Sequence, residues 1–225
     1  TEFKVFKNVL DEGGHLKAIV LKGGAQEVSR KVSDRYTELV KKYGLGGLVV
    51  MKYQNGEFSG PAKFFSEDEL NDLTKTLGVE ENDVVFIGSG AWEMTCEAMG
   101  ALRLQVAKDF DLIDKDKFDY LWVLDFPMFE LGEEGELVAR HHPFTSPKEE
   151  DIPLLDTDPL KVTAEAYDLV LNGYEIAGGS MRIYDQKLQK KMFQLIGFTD
   201  EQIKKRFGFF VEAFEYGTPP HGGIA

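Results

Sequence analysis

The dipeptide Asn172-Gly173, set between two short segments of alternating polar and apolar residues, restricts the fold of this 225-residue chain more than any other feature. Both residues tolerate the positive φ angles that a two-residue hairpin turn requires. Such a loop also fixes the register of its strands, so Leu171 should pair with Tyr174 and Val170 with Glu175. The sequence therefore predicts an antiparallel hairpin in the second half of the chain.

The first half of the chain alternates between strand-like and helix-like patterns. Apolar and β-branched runs predict strands at Leu16–Leu21, Leu48–Tyr53 and Val84–Ile87. A segment with an apolar residue every three or four positions predicts a helix between the first two strands. A second helix should begin at Ser66, where Ser66 and Glu69 have the spacing of a capping box. This order predicts a small α/β sandwich.

Residues 91–111 have a further helical pattern, with one apolar stripe formed by Trp92, Met99, Leu102, Val106 and Phe110. The second half begins after it, at a polar stretch that places a domain boundary near Ile113. The run LWVLDFPMFE that follows is nearly continuous in apolar residues, which is typical of a buried strand. A turn rich in glycine and glutamate at Leu131–Glu136 then predicts another hairpin.

Charge and composition exclude several classes of protein. The formal net charge is −13, and acidic residues outnumber basic ones in both halves, which argues against a protein that mainly grips phosphate backbones. No apolar run reaches the roughly 18–20 residues of a membrane-spanning helix, and the first ten residues lack the layout of a signal peptide. The single cysteine, Cys96, is predicted to be a buried helix residue rather than a reactive thiol. A cytoplasmic protein is expected.

Two carboxylates should share one face of the predicted hairpin. The register that pairs Val170 with Glu175 puts Glu175 on the same face as Asp168. Two neighbouring negative charges repel, so an ionised pair requires a compensating cation, either a basic side chain or a metal. Mg²⁺ commonly binds one or two carboxylates together with substrate phosphates. Two solvated carboxylates on an exposed sheet face remain the alternative.

Arg182 lies seven residues after Glu175, an odd step that would place it on the opposite face of an unbroken strand. Gly178-Gly179 can host a β-bulge, and a bulge within Ala177–Ser180 would return Arg182 to the face of the carboxylates. There its guanidinium would suit a substrate carboxylate in bidentate geometry. An ordinary salt-bridged arginine is the alternative.

Two adjacent histidines, His141 and His142, precede Pro143 at a predicted strand-to-loop transition. Adjacent strand residues cannot easily face one metal, and neither a cysteine nor a third histidine lies nearby, which disfavours zinc. A loop that gates a substrate or hydrogen-bonds to it remains open.

Several segments together resemble one known family, the bacterial-type aspartyl-tRNA synthetases, which are class II aminoacyl-tRNA ligases. The segments are GALRLQVAKDFDLID, LWVLDFPMFE, ARHHPFTSP, AYDLVLNGYEIAGGSMRI, RFGFFVEAF and YGTPPHGGIA. Roughly the first hundred residues resemble the GAD insertion domain of the bacterial enzymes, which is shared with a tRNA-dependent amidotransferase subunit. The resemblance implies an α+β chain, with a GAD-type α/β domain over residues 1–113. Residues 114–225 would then be part of a class II catalytic domain, an antiparallel sheet with flanking helices.

The resemblance also implies roles for individual residues. His141 would contact the aspartate substrate with His142 beside it, and Arg182 would hold the aspartate side-chain carboxylate. Glu175 would bind ATP through Mg²⁺ with the help of Asp168. The candidate site is therefore the following set: His141, His142, Asp168, Glu175, Ser180 and Arg182.

The implied reaction is aspartate–tRNA ligation, in which aspartate and ATP give aspartyl-adenylate and pyrophosphate before transfer to tRNA. The implied partners are L-aspartate, ATP, Mg²⁺ and tRNA, with a homodimer formed through a segment absent here. Two departures from the family pattern stand out. Ala177 replaces the first of three usual glycines, and the chain stops at Ala225, before the third class II motif and without the first two. A fragment inactive alone is expected.

The main alternative is a non-catalytic tRNA-contacting module, as in the amidotransferase subunit. The histidine loop, residues 141–145, and the segment from Asp168 to Arg182 argue against it, because that subunit has no adenylation chemistry. Another class II synthetase, for asparagine or lysine, is disfavoured by the insertion.

Overall fold

The computed structural model describes residues 3–225, and the chain divides into two compact units between Asp114 and Lys115. The predicted strands and helices of the first unit are confirmed. Its helices are α1 (Lys4–Asp11), α2 (Arg30–Lys41), α3 (Glu67–Leu77) and α4 (Trp92–Asp109). Its strands are β1 (His15–Leu21), β2 (Val49–Gln54), β3 (Glu57–Phe58) and β4 (Val84–Gly90), and a 3₁₀ segment spans Gly60–Phe64.

The first unit is built around an antiparallel sheet of strand order β1-β4-β2-β3. Alternate residues of the central strand β4 point to opposite faces. Val84 and Phe86 pack with α2 and α4 on one face, while Val85 and Ile87 pack with α1 and α3 on the other. All four are almost completely buried, which explains why this strand has no polar face.

The start of α3 is as predicted. The Ser66 hydroxyl accepts from the Glu69 amide, and the Glu69 carboxylate accepts from the Ser66 amide, which completes the capping box. Gly78 ends the helix in the left-handed conformation, at φ 59°. Local sequence thus determines both ends of this helix.

Two residues of α4 differ from expectation. The predicted apolar stripe holds for Met99, Leu102 and Val106, which are buried, but Trp92 at its start is 53% exposed. Trp92 lies under the Lys17 ammonium, 3.9 Å from the ring centroid. Cys96 is only partly buried, because it falls beside the stripe rather than on it.

The second unit contains two short helices and two antiparallel sheets. The helices are α5 (Gln186–Leu195) and α6 (Asp200–Ala213). The strands are β5 (Tyr120–Val123), β6 (Phe129–Leu131), β7 (Leu137–Ala139), β8 (Ala166–Leu171), β9 (Tyr174–Met181) and β10 (Gly222–Ile224). Three 3₁₀ segments lie at Glu149–Asp156, Pro159–Lys161 and Phe214–Tyr216. The larger sheet has the order β10-β9-β8-β5, and β6 with β7 forms the hairpin predicted around Leu131–Glu136.

The run LWVLDFPMFE was predicted to be one buried strand, and this prediction is wrong. The run is divided between two sheets, with Asp125 between them at φ 60°. Its second part, at Met128 and Phe129, is buried. Its first part forms β5, which pairs only with β8 at the sheet edge, and Leu121 and Trp122 are more than half exposed. An apolar run indicates burial only where both faces of the strand are covered.

Within the part of the chain that the structure describes, every helix is too short or too polar to cross a bilayer.

Candidate active site

The β8–β9 hairpin forms with the predicted register. Val170 lies opposite Glu175 and Leu171 opposite Tyr174. Asn172 and Gly173 have φ angles of 49° and 86°, as a two-residue turn with positive φ at both positions requires.

The bulge that a shared site with Arg182 would require is present, but one residue before the predicted range Ala177–Ser180. Leu169 pairs with Ala177 whereas Val170 pairs with Glu175, so Ile176 is the extra residue on β9. The strand is regular from Ala177 to Ser180, where the glycines had suggested the bulge. A bulge at Ile176 shifts the parity of the strand as expected. Arg182 therefore lies on the same face as Glu175.

The two candidate carboxylates meet above Gly178. Asp168 lies directly opposite Gly178, and Glu175 shares this face. A Cβ atom built on Gly178 would be 2.7 Å from Asp168 Oδ1 and 2.7 Å from Glu175 Oε1. The two oxygens are therefore no farther apart than twice that distance. Only glycine leaves room for both side chains in this arrangement.

Gly179 allows a second close approach, on the opposite face. A Cβ atom there would lie 1.8 Å from the carbonyl oxygen of Gly223 in β10 and 2.9 Å from the Tyr167 ring. The Tyr167 hydroxyl donates a hydrogen bond to the same carbonyl at 3.0 Å. The glycine pair thus serves two purposes, room for the carboxylates at 178 and close packing of β10 at 179. Ala177 pairs with Leu169, on the face opposite Asp168, so this departure from the family pattern lies away from the carboxylates.

The other end of the same face is formed by Arg182 and the histidine loop. Thr145 bridges to Arg182 as an antiparallel pair, and its hydroxyl lies 3.4 Å from the buried Ser180 hydroxyl. The Arg182 guanidinium contacts both ring nitrogens of His142. His142, Ser180 and Arg182 are thereby brought together.

The hydrogen bonds of His142 determine its neutral tautomer. The Phe144 amide donates to Nδ1 at 3.2 Å, and an amide can only donate. Nδ1 is therefore the acceptor, and the neutral ring carries its hydrogen on Nε2. That N–H and the N–H groups of Arg182 are all donors at the same place. Arg182 Nη1 lies 3.2 Å from the Nδ1 acceptor, and its remaining N–H groups and the His142 Nε2–H form a cluster of donors that suits an anionic group.

The His142 ring is kept neutral by its surroundings. Burial lowers the pKa of His142 below its usual value, and the positive charges of Arg182 and His141 lower it further. An imidazole that stays neutral at pH 7 keeps the Nδ1 acceptor that its loop requires.

Acidification should destabilise the chain through His142. Because the folded-state pKa lies below the unfolded value of about 6.5, the unfolded chain binds more protons between the two. This stability is therefore present above pH 6.5 and is lost as the pH falls from there towards the folded-state pKa. Urea-unfolding midpoints should fall more steeply between pH 7.5 and 5.5 in the parent chain than in His142→Asn. Equal slopes would contradict a depressed pKa.

The unpaired charges of the site are consistent with a metal and an anion. Among residues 3–225, Asp168, Glu175 and Arg182 have no partner of opposite charge within ion-pair distance. The described residues also contain no group of three or more potential metal-ligating side chains. A two-carboxylate site fits Mg²⁺, whose ligand oxygens lie about 2.1 Å away and which keeps several waters.

The chain is also similar in sequence to known proteins. Residues 9–225 match the family model described as tRNA synthetases class II (D, K and N). This chain belongs to that family. Residue identity with the aspartate–tRNA ligase of Halalkalibacterium halodurans is 53%, and with the aspartate–tRNA(Asp/Asn) ligase of Geobacillus sp. strain WCH70 it is 51%. Each match covers all of this chain but 38% of the relative, so this class II synthetase chain spans well under half the length of these relatives.

Two features of the candidate site of this class II synthetase chain were not predicted from the sequence. The family resemblance implied that His141 contacts aspartate with His142 beside it. In the structure it is His142 that faces Arg182, while the exposed His141 ring lies edge-on to Phe126 at 5.0 Å. The role of His141 therefore stays a prediction. The need for glycine at positions 178 and 179 was also missed, although the Gly-Gly pair within a strand was a signal of close approach.

Proposed function

We propose that the protein containing this chain is an aspartate–tRNA ligase that activates aspartate with ATP and transfers it to tRNA. One observation carries the proposal: one face of a single hairpin presents two carboxylates without a basic partner among residues 3–225 and, beyond them, a guanidinium without a carboxylate partner. Gly178 and Arg182 are four residues apart, which is about 13 Å along a strand. One end of the hairpin face can therefore bind a cation and the other an anion. A reaction between ATP, which carries Mg²⁺, and an acidic amino acid requires both.

Arg182 and His142 form the proposed aspartate end. The side-chain carboxylate of aspartate would accept hydrogen bonds from the guanidinium and from His142 Nε2–H. It would thereby supply an acceptor to the cluster of donors at this place. Charged hydrogen bonds of this kind are stronger than neutral ones. Ser180 and Thr145 lie beneath these groups and fill the buried base of the site.

Asp168 and Glu175 form the proposed ATP end. Their carboxylates would hold Mg²⁺, which when bound supplies positive charge to the phosphate oxygens of ATP. Neither carboxylate has a basic partner among residues 3–225, so their negative charge is available to a cation. In the proposed reaction an α-carboxylate oxygen of aspartate attacks the α-phosphorus of ATP, and the bond to pyrophosphate breaks. A ribose hydroxyl of tRNA then attacks the resulting acyl carbon, and AMP leaves.

The remaining assignments extend the same proposal. Residues 1–113 would be the GAD-type insertion domain and residues 114–225 part of the catalytic domain, in a homodimeric cytoplasmic enzyme. The names of the similar proteins support this over the amidotransferase module, since both describe ligases. The paired carboxylates support it independently, because a module that only contacts tRNA has no use for them.

The test is aspartate-dependent exchange of pyrophosphate into ATP by the complete protein. We expect exchange with aspartate, and a decrease of roughly 10²-fold or more in Glu175→Gln, since a neutral amide would weaken the metal site. Glu201→Gln, an exposed change at the start of α6, is the matched control and should keep parental activity. Exchange that depends on asparagine or lysine instead of aspartate would refute the proposed substrate.

A further inference from the structure

Gln189 is a completely buried polar residue near the histidine loop. It lies in α5 at 0% exposure, and its side-chain Nε2 donates to the carbonyl oxygen of Pro143 at 2.7 Å. That carbonyl can only accept, so the amide nitrogen must face it. The other side-chain atom, Oε1, is buried without a hydrogen-bond partner among the described residues. Gln189 thus uses only its donor.

Gln189 and His142 form hydrogen bonds with the same peptide group, the one between Pro143 and Phe144. Proline has no N–H, so the carbonyl is its only backbone hydrogen-bonding group. The same Pro143–Phe144 peptide presents its N–H, from Phe144, to His142 Nδ1 at 3.2 Å. Peptide units are planar, and in the trans form their C=O and N–H point in opposite directions. Fixing the carbonyl therefore fixes the direction of the amide that hydrogen-bonds to the imidazole.

Packing on the Phe144 side supports the same peptide. The Phe144 ring contacts Phe193 of α5 and Phe207 and Phe210 of α6, with centroid distances of 5.8, 5.6 and 4.6 Å. The Phe144 carbonyl accepts from the Ile183 amide at 2.9 Å. These contacts locate the loop, but apolar rings do not orient a peptide plane. The Gln189 hydrogen bond supplies that orientation.

We propose that Gln189 is a positioning residue, which acts through the Pro143–Phe144 peptide to orient the His142 ring and keep its Nε2 edge beside the Arg182 guanidinium. Filling space does not explain a glutamine here. Methionine has a similar length and would pack in the same place without burying an unpaired oxygen. The role in binding aspartate rests on the proposed function, whereas the orientation of His142 does not.

The first test is ¹⁵N NMR of the histidine side chains in the 225-residue chain. In the parent chain, His142 should titrate below its ordinary value and show its hydrogen on Nε2. In Gln189→Met, its pKa should move towards 6.5 and both tautomers should be populated, because the Phe144 amide is no longer aligned. The urea-unfolding midpoint should change little, because the lost hydrogen bond is offset by removal of the unpaired oxygen.

Gln194→Met is the matched control on the same helix. The Gln194 amide donates to the exposed Asp200 carboxylate, so this variant should leave the His142 signals unchanged. A folded Gln189→Met chain with parental His142 tautomer and pKa would overturn the proposal. If that variant does not fold, the parent chain still decides, since freely exchanging Gln189 side-chain amide hydrogens would overturn it and protected ones would support it.

The second test uses the complete protein. Gln189→Met should raise the KM for aspartate about 10-fold and leave the KM for ATP unchanged, because only the aspartate end is disturbed. An altered His142 ring with a parental KM for aspartate would support the positioning role and contradict the aspartate-binding role of His142. This experiment therefore distinguishes failure of the positioning proposal from failure of the proposed aspartate-binding function.

Discussion

Replacing Arg182 with lysine should lower kcat/KM for aspartate in the complete protein by at least about 10²-fold, near 2.7 kcal/mol of transition-state stabilisation. Lysine keeps the charge but loses the planar fork that binds a carboxylate through two parallel hydrogen bonds. Aspartate and asparagine are nearly the same shape, so under the proposed function the charged contact with Arg182 is what would distinguish them. Sites built around such a contact discriminate by roughly 10⁴-fold or more.

Steady-state pyrophosphate exchange at varied aspartate concentration measures the effect. Arg206→Lys is the matched control, because Arg206 is exposed on α6 and stacks on Phe198 rather than reaching the site. Its kcat/KM should stay close to parental. Parental kcat/KM in a folded Arg182→Lys protein would remove Arg182 from the aspartate site.

Replacing Gly179 with alanine should detach β10 from the sheet. The new Cβ would lie 1.8 Å from the Gly223 carbonyl oxygen, and a backbone atom cannot swing aside as a side chain can. β10 must therefore move, losing bonds such as those between Gly178 and Ala225 at 2.9 and 3.0 Å. We expect amide exchange protection over residues 222–225 to fall by about 10²-fold, which corresponds to about 2.7 kcal/mol and lies within the usual cost of overpacking.

Gly178→Ala provides the comparison, since it adds the same methyl group one residue away. Its Cβ would meet only the ends of the Asp168 and Glu175 side chains, which can rotate away. Protection of β10 should therefore stay close to parental, while pyrophosphate exchange falls because the carboxylates have separated. Equal loss of β10 protection in both variants would show that the two glycines do not have separate roles.

The exposed edge strand β5 shows how an apolar run can mislead. Tyr120, Leu121 and Trp122 are each more than half exposed, although their sequence is typical of a buried strand. Composition records how apolar a segment is, whereas burial depends on which elements lie beside it.

The sequence alone determined the features whose causes are local. The Asn172-Gly173 turn and its register follow from two positive φ angles, and the capping box at Ser66 follows from side chains three residues apart. The sharing of one face by Asp168 and Glu175 followed from that register. If Arg182 shares a site with the two carboxylates, the odd number of residues from Glu175 to Arg182 requires a bulge, because successive strand residues alternate between faces.

Tertiary structure alone decided where that bulge lies and which histidine reaches Arg182. The extra residue is Ile176 and not one of the glycines, because Gly178 and Gly179 must stay in register beneath the carboxylates and β10. His142 faces Arg182 because Gln189 and the phenylalanines of α5 and α6 hold the next peptide in place. Those contacts join residues about 40 or more positions apart. Local sequence patterns cannot predict such pairs, because packing between distant segments brings them together.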